Sequence, residues 1–370
     1  MEGYVKQNTG TYRTRIARLR PVGVAAAALA ATALIAACSS SGTPTNQAAG
    51  SQPATSTSSK APDVLDSING ADLSHPVEET PEEINQYWTE DRLRQAVPST
   101  PQGGGEGLTA SDLGLDVQVQ PDGGPSNVAS GVVNSSAGYA WSKVGATGRT
   151  VGRLYYKFGN QNFVCSASVV TSRSKTLVAT AAHCLWNTVR GGWATSVLFI
   201  PGDTAGKAPY GRWAGARLYV PREFWRGAHE NPTTKRSYGS GWAYDHGFIR
   251  MKPLNGRNIQ SALGSLGISF SGLHSQVLVL GYPTAAPFDG RTMRYCGIAN
   301  MVRDSRTYTD WSLACRMTPG SSGGPWIANY RNGTGYVTTT SSVGDGKRLW
   351  GAFWGKVAYA LYQRADANAA

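Results

Sequence analysis

Two short stretches hold residue types that do nucleophilic chemistry. One is Thr180-Ala181-Ala182-His183-Cys184; the other is Gly320-Ser321-Ser322-Gly323-Gly324-Pro325. A serine hydroxyl is a weak nucleophile at neutral pH and needs a base. Histidine suits that task, because an ordinary pKa of about 6.5 lets it take and return a proton near neutrality. The glycines around Ser322 allow a tight turn whose backbone N–H groups can converge on an oxyanion. An acid lying between the two stretches would complete the set. The candidates are Asp203, Glu223, Glu230, Asp245, Asp289, Asp304 and Asp310. Asp203 and Asp289 sit in turn-like sequence and are expected to be solvated.

The serine stretch also fits G-x-S-x-G, the nucleophile turn of α/β-hydrolases, in which the chain order is serine, acid, histidine. Here the last histidine is His274, well before Ser322. That triad cannot be built, whereas the order His, Asp, Ser can. T-A-A-H-C followed by G-x-S-G-G-P resembles the two signatures of the chymotrypsin/trypsin superfamily of serine proteases, and chance occurrence of both is remote. Cys165-Ser166-Ala167-Ser168-Val169-Val170 resembles the family strand that leads to the histidine. The likeness spans roughly 150–363.

That resemblance implies several things. The acid is Asp245, which heads Asp245-His246-Gly247-Phe248-Ile249 as the family acid heads an apolar strand, although His246 and Gly247 depart from the family pattern. His183, Asp245 and Ser322 form the catalytic triad, with the N–H groups of Gly320 and Ser322 as the oxyanion hole. Four cysteines allow three pairings, and the family pairs Cys165 with Cys184, which leaves Cys296 with Cys315. Substrate backbone would pair near Ser341, Ser342 and Val343. Arg316, six residues before Ser322, falls where the family places the residue at the pocket floor; there it would favour an acidic substrate side chain. The alternative is that Arg316, beside bridged Cys315, points to solvent. The chain looks nearest to bacterial secreted glutamyl endopeptidases, and Tyr87 to Leu93 resembles a segment of such proteins' front pieces. Those enzymes carry G-N-S-G-S and a late-strand histidine; this chain has Gly320-Ser321-Ser322-Gly323-Gly324 and no histidine after Ser322, so glutamate specificity does not carry over.

The elements that must position these residues are read from hydrophobic periodicity. From about 146, short β-rich runs alternate with Gly/Asn/Pro/Asp turns. They are Arg153 to Phe158, Ser166 to Thr171, Ser196 to Ile200, Arg217 to Val220, Gly247 to Met251, Gln276 to Leu280, Tyr336 to Ser342 and Leu349 to Trp354. The spacing predicts an all-β barrel or sandwich, closed by a helix over Lys356 to Ala365. With the resemblance, the expectation is a chymotrypsin-like double antiparallel β-barrel, six strands each, over about 146–240 and 255–355, with a C-terminal helix.

Charge is unevenly spread. Residues 39–145 hold four Lys/Arg against thirteen Asp/Glu, and residues 146–370 hold twenty-six against nine, so an acidic front piece precedes a basic body. Arg13, Arg15, Arg18 and Arg20 precede an apolar run of 16 residues, Val22 to Ala37, which is short for a spanning helix and typical of an export signal. Small residues before Cys38, with Ser39-Ser40-Ser41-Gly42 after it, resemble the bacterial lipoprotein cleavage box, which would make Cys38 the lipidated first residue. The alternative is plain secretory cleavage near Ala37. Cys38 is the odd one of five cysteines, and the other four suit an oxidising compartment.

The expected organisation is a signal peptide over 1–37, a flexible linker over 38–62, an acidic pro-segment or stalk over 63–145 and a protease domain over 146–370. Within the pro-segment, Thr80-Pro81-Glu82-Glu83 has the form of a helix start, with Ile84, Tyr87, Trp88 and Leu93 as an apolar side. Opposite charges on a tether favour docking of this region on the protease body. Function is expected to be a lipid-anchored or secreted serine endopeptidase acting on proteins or peptides outside the cytoplasmic membrane. No cofactor, metal or nucleic acid is expected; no Cys/His spacing resembles a zinc site, and anionic lipid or wall polymer suits the basic body better. Two other readings use the same residues: an esterase, and a surface binding module on a retired protease scaffold.

Overall fold

The computed structural model describes residues 74–99, 101, 117–122, 136–142, 145–270, 276–303 and 311–367. The signal segment 1–37, Cys38, the linker to 62 and His274 lie outside these.

Six strands close the first barrel. In spatial order they are Trp213–Tyr219, Gly247–Met251, Leu177–Thr180, Gln161–Val169, Val151–Phe158 and Thr195–Pro201, and the last pairs back onto the first. All these pairings are antiparallel. Closure corrects the expected end of this barrel near 240. Gly247–Met251 bonds Leu177–Thr180 on one side and Trp213–Tyr219 on the other, so the ring needs residues up to Met251.

The second unit is a sheet ordered Val302–Arg303, Trp311–Ala314, Arg348–Gly351, Thr334–Gly344, Pro325–Arg331, Gln276–Gly281, Arg294–Asn300 and Tyr139–Ala140. Gly267–Ser269 joins it, parallel to Thr334–Gly344. The C-terminal helix spans Lys356–Ala367. It packs Tyr362 against Phe248 at 5.8 Å between ring centres. Buried Asp366 accepts the N–H groups of Arg173 and Ser174 at 3.0 and 2.8 Å, which fastens the helix to the first barrel. Both disulfides form, Cys165–Cys184 and Cys296–Cys315.

Asp203 is a second correction. It is 1 % exposed rather than solvated, because the turn after Thr195–Pro201 folds back over the barrel end. Its carboxylate accepts from Tyr155 Oη at 2.8 Å and Gly206 N at 2.7 Å, with Arg153 at 3.7 Å. Burial still pushes its pKa up. Asp289, by contrast, lies exposed in a turn, where it accepts the Arg291 N–H.

Residues 74–98 take up ordered elements on the first barrel. Ser74–Pro76 pairs antiparallel with Trp213–Tyr219. Thr80 caps the helix Pro81–Tyr87 through a full capping box with Glu83. Thr89 then caps a separate helix, Glu90–Gln95, so the apolar side is split over two short helices. Ile84, Trp88 and Leu93 are buried, and they belong to the same core cluster as Leu154, Tyr155 and Phe199. Trp88 Nε1 donates to the Ser196 carbonyl at 2.6 Å. Ser196 N and Oγ both donate to Glu79 Oε1, at 2.9 and 2.8 Å. Val97–Pro98 then runs parallel to Phe163 and Val164 of the barrel strand that contains Cys165.

Candidate active site

His183 sits in a single 3-10 turn, Ala182–Cys184, directly after the strand Leu177–Thr180. The disulfide of the adjacent Cys184 to Cys165 locks that turn onto the neighbouring strand. Asp245 ends another 3-10 turn, Ser240–Tyr244, just before Gly247–Met251. Because Gly247–Met251 and Leu177–Thr180 are paired, with Gly247 opposite Thr180, the two turns emerge side by side.

The carboxylate of Asp245 is fully buried and three donors satisfy it. Oδ1 accepts the His183 backbone N–H at 2.9 Å, and Oδ2 accepts His183 Nδ1–H at 2.7 Å. Ser342 Oγ also donates to Oδ2. An imidazole held this way keeps its proton on Nδ1 and a free lone pair on Nε2. His183 Nε2 is buried and has no hydrogen-bond partner among the described residues. Trp242 packs on the ring at 5.8 Å. Glu230 lies close enough to His183 to interact with its charge; burial raises the Glu230 pKa and His183 opposes that shift.

Ser322 lies in the turn before Pro325–Arg331 of the second sheet, and among the described residues no hydrogen bond joins its Oγ to His183 Nε2. Its carbonyl accepts the N–H of Ser166 at 2.7 Å, and Ser166 is next to Cys165, whose sulfur joins Cys184 beside His183. Gly323 explains why the turn is glycine-rich. Its φ is +77°, and a Cβ there would stand 2.1 Å from Thr180 Oγ1 and 2.9 Å from Ala181 N. The turn is thus pressed against the segment that leads to His183. Gly320 has φ +100°, and a Cβ would meet Thr284 Oγ1 at 2.3 Å. Neither the Gly320 N–H nor the Ser322 N–H bonds a described residue, so both donors remain available for an anion.

A cavity opens beside Ser322. It is bounded by Met317, Thr318 and the strand residues Ser341, Ser342 and Val343, and it also touches Ser99 and Pro101 of the front segment. The strand residues Ser341, Ser342 and Val343 thus border the same cavity as Ser322. Arg316 does not. It is exposed and lies outside the cavity wall; its N–H donates to the Ser136 carbonyl at 2.8 Å. With Cys315 buried in its disulfide, the alternation along the chain turns residue 316 outward, where a guanidinium keeps its hydration. Sequence reasoning missed the bond from Ser342 to Asp245, since no local signal marks one serine in a serine-rich strand. His246 is no ligand: both ring nitrogens are buried without partners, and burial pulls its pKa down to about 3, which keeps it neutral beside Trp354. Sγ of Cys165 and of Cys184 lie near His183 but are consumed by their disulfide.

No protein-family model matches the chain, and no curated protein matches it. Among solved structures, the chain is similar to the protease Anisep from Arthrobacter nicotinovorans, at 32% identity and a TM-score of 0.54, over 62% of this chain and 100% of that one. It is also similar to a thermostable serine protease, AL20, from an extremophilic microorganism, at 28% identity and a TM-score of 0.53, over 60% of this chain and 99% of that one.

Proposed function

Since the chain belongs to the chymotrypsin/trypsin-like serine proteases, we propose that it is a serine endopeptidase that uses His183, Asp245 and Ser322 as one catalytic unit. Ser322 Oγ attacks the scissile carbonyl carbon while His183 Nε2 takes its proton. The Gly320 and Ser322 N–H groups stabilise the resulting oxyanion. His183 then protonates the leaving amine, which departs and leaves an acyl-enzyme on Ser322. Water, activated by the same imidazole, releases the acid product and restores the serine. The observation that supports this reading most directly is His183 itself: Nδ1 and the backbone N–H are both occupied by Asp245, and Nε2 is buried yet unpartnered.

A fluorophosphonate probe tests this reading, because it reacts only with an activated serine. Labelling is expected at Ser322, and its absence from folded protein would favour a retired scaffold that only binds. Turnover of matched peptide and ester substrates separates an endopeptidase from an esterase.

Export and anchoring are further parts of the proposal. The apolar run Val22 to Ala37 ending at Cys38 supports lipidation at Cys38. Among the described residues no helix is long and apolar enough to cross a membrane. Diacylation buries enough methylenes for stable attachment, whereas one chain does not. Cys38→Ser is expected to move the protein from the membrane fraction to the medium of the producing cells. Unchanged fractionation would leave plain secretion. The segment 74–101 is assigned a restraining role until it is cut or displaced, because Ser99 and Pro101 reach the cavity beside Ser322.

A further inference from the structure

Among the described residues, the wall of the cavity beside Ser322 has no ionisable side chain. Its apolar base is part of the protein core: Met317 is 1 % exposed and Leu349 is 3 % exposed, and both belong to the cluster around Trp326 and Cys315. Leu349 Cδ2 lies 2.9 Å from where a Cβ on Gly344 would stand, so it closes directly under that wall. Met317 Cγ is backed by Gly138, 3.5 Å from that residue's Cβ position.

The hydroxyls around the cavity are already engaged. Thr318 Oγ1 donates to the Ala285 carbonyl at 2.7 Å, and Ser321 Oγ donates to the Thr318 carbonyl at 2.8 Å. Ser341 Oγ accepts from Trp326 Nε1 at 3.0 Å, and Ser342 Oγ donates to Asp245. A charged side chain entering here would lose its water and meet no opposite charge among the described lining residues, which costs more than the roughly 1–3 kcal/mol of an unpaired neutral group. An aliphatic side chain loses nothing and buries apolar area. The chain supplies an example, since buried Pro101, a compact aliphatic ring, lines this cavity.

We propose that this cavity selects a short, uncharged aliphatic side chain, of the size of alanine, valine or leucine, on the acyl side of the scissile bond, with Met317 and Leu349 setting its depth. This rests on Ser322 being the nucleophile. It replaces the acidic preference that Arg316 would have conferred from a pocket floor.

The experiment uses the full chain, with active sites counted by fluorophosphonate labelling. Matched peptides carrying Ala, Val, Leu, Phe, Glu or Arg before the cleaved bond are compared by kcat/KM per labelled site. Ala, Val and Leu are expected to exceed Glu and Arg by about 100-fold or more. Met317→Ala and, separately, Leu349→Ala are expected to raise Phe relative to Ala by about 10-fold. Thermal melting identifies the variant that remains folded, and either one suffices. A preference for Glu or Arg, or unchanged ratios in a folded variant, would overturn the pocket assignment while leaving the nucleophile in place. Absence of labelling in folded protein, both uncut and after limited proteolysis of the front segment, would overturn both.

Discussion

Replacing Ser322 by alanine is expected to lower peptide turnover on the order of 10⁶-fold with the melting temperature unchanged. The hydroxyl acts only in the chemical step, and its carbonyl, which holds Ser166, is backbone and survives the substitution. His183→Ala should lose about as much, because a base with no nucleophile and a nucleophile with no base are equally idle. The informative variant is the double one. If the two residues act as one unit, Ser322→Ala with His183→Ala is no worse than either alone, and the residual rate reflects oxyanion stabilisation and binding. Progress curves at saturating substrate measure all three. A double variant that loses the product of the two single effects would show two independent roles and sink the triad. So would a single variant that keeps near-normal rates.

Trp88→Ala is expected to destabilise the chain by about 3–5 kcal/mol, the usual cost of emptying a tryptophan-sized hole. In a domain of this size that lowers the melting temperature by roughly 10 °C. Trp88 is 1 % exposed, its ring lies 5.5 Å from Tyr155, and its N–H satisfies the Ser196 carbonyl. A passive spacer would tolerate the change with no shift, and that result would refute a packing role for Trp88. Salt separates apolar packing from charge-driven docking. The described ion pairs of the segment join Arg94 to Glu90 and Asp91 within it, while the contacts of Trp88 to the barrel are apolar or hydrogen-bonded and charge reaches across near Tyr87 and Glu83. The effect of Trp88→Ala on melting should therefore be nearly equal at low and high ionic strength, since screening acts on exposed charges.

What was legible in the sequence follows from how local each signal is. His183 and Ser322 stood out as a candidate base and nucleophile because such groups at strand ends need small neighbours and glycines in fixed places, and those places are adjacent in the chain. The run Gly247–Met251 was read with its observed bounds, since its apolar residues stand between a turn and a lysine. Leu177–Thr180, Trp311–Ala314 and Pro325–Arg331 were not seen as strands. Leu177–Thr180 is four residues long and buried on both faces, so it has no alternation to read. Pro325–Arg331 begins with a proline tolerated only because it is the first residue of its strand. In the front piece the apolar side of Ile84, Tyr87, Trp88 and Leu93 was legible, but periodicity cannot say what covers a face. Opposite net charges suggested docking by charge, whereas the described contacts of Ile84, Trp88 and Leu93 are those of a core. Arg316 turns to solvent, one of the two placements the sequence left open, because register counted from Ser322 fixes a position along the chain and says nothing of which way its side chain turns.

Ser196 has φ +49°, a left-handed conformation that serine rarely adopts. Its N–H, hydroxyl and carbonyl are all satisfied by Glu79 and Trp88. The barrel strand Thr195–Pro201 therefore contains a bend whose bonding partners are encoded more than a hundred residues upstream, a separation of 117 for Glu79. A chain is made from its N-terminus, so Glu79 and Trp88 exist before Ser196 does. The barrel thus has these partners at hand while its own strands are still arriving. Order of synthesis becomes part of how this protein reaches its shape: the same segment supplied afterwards, as a separate peptide, would meet a Ser196 bend that had to form without its bonding partners.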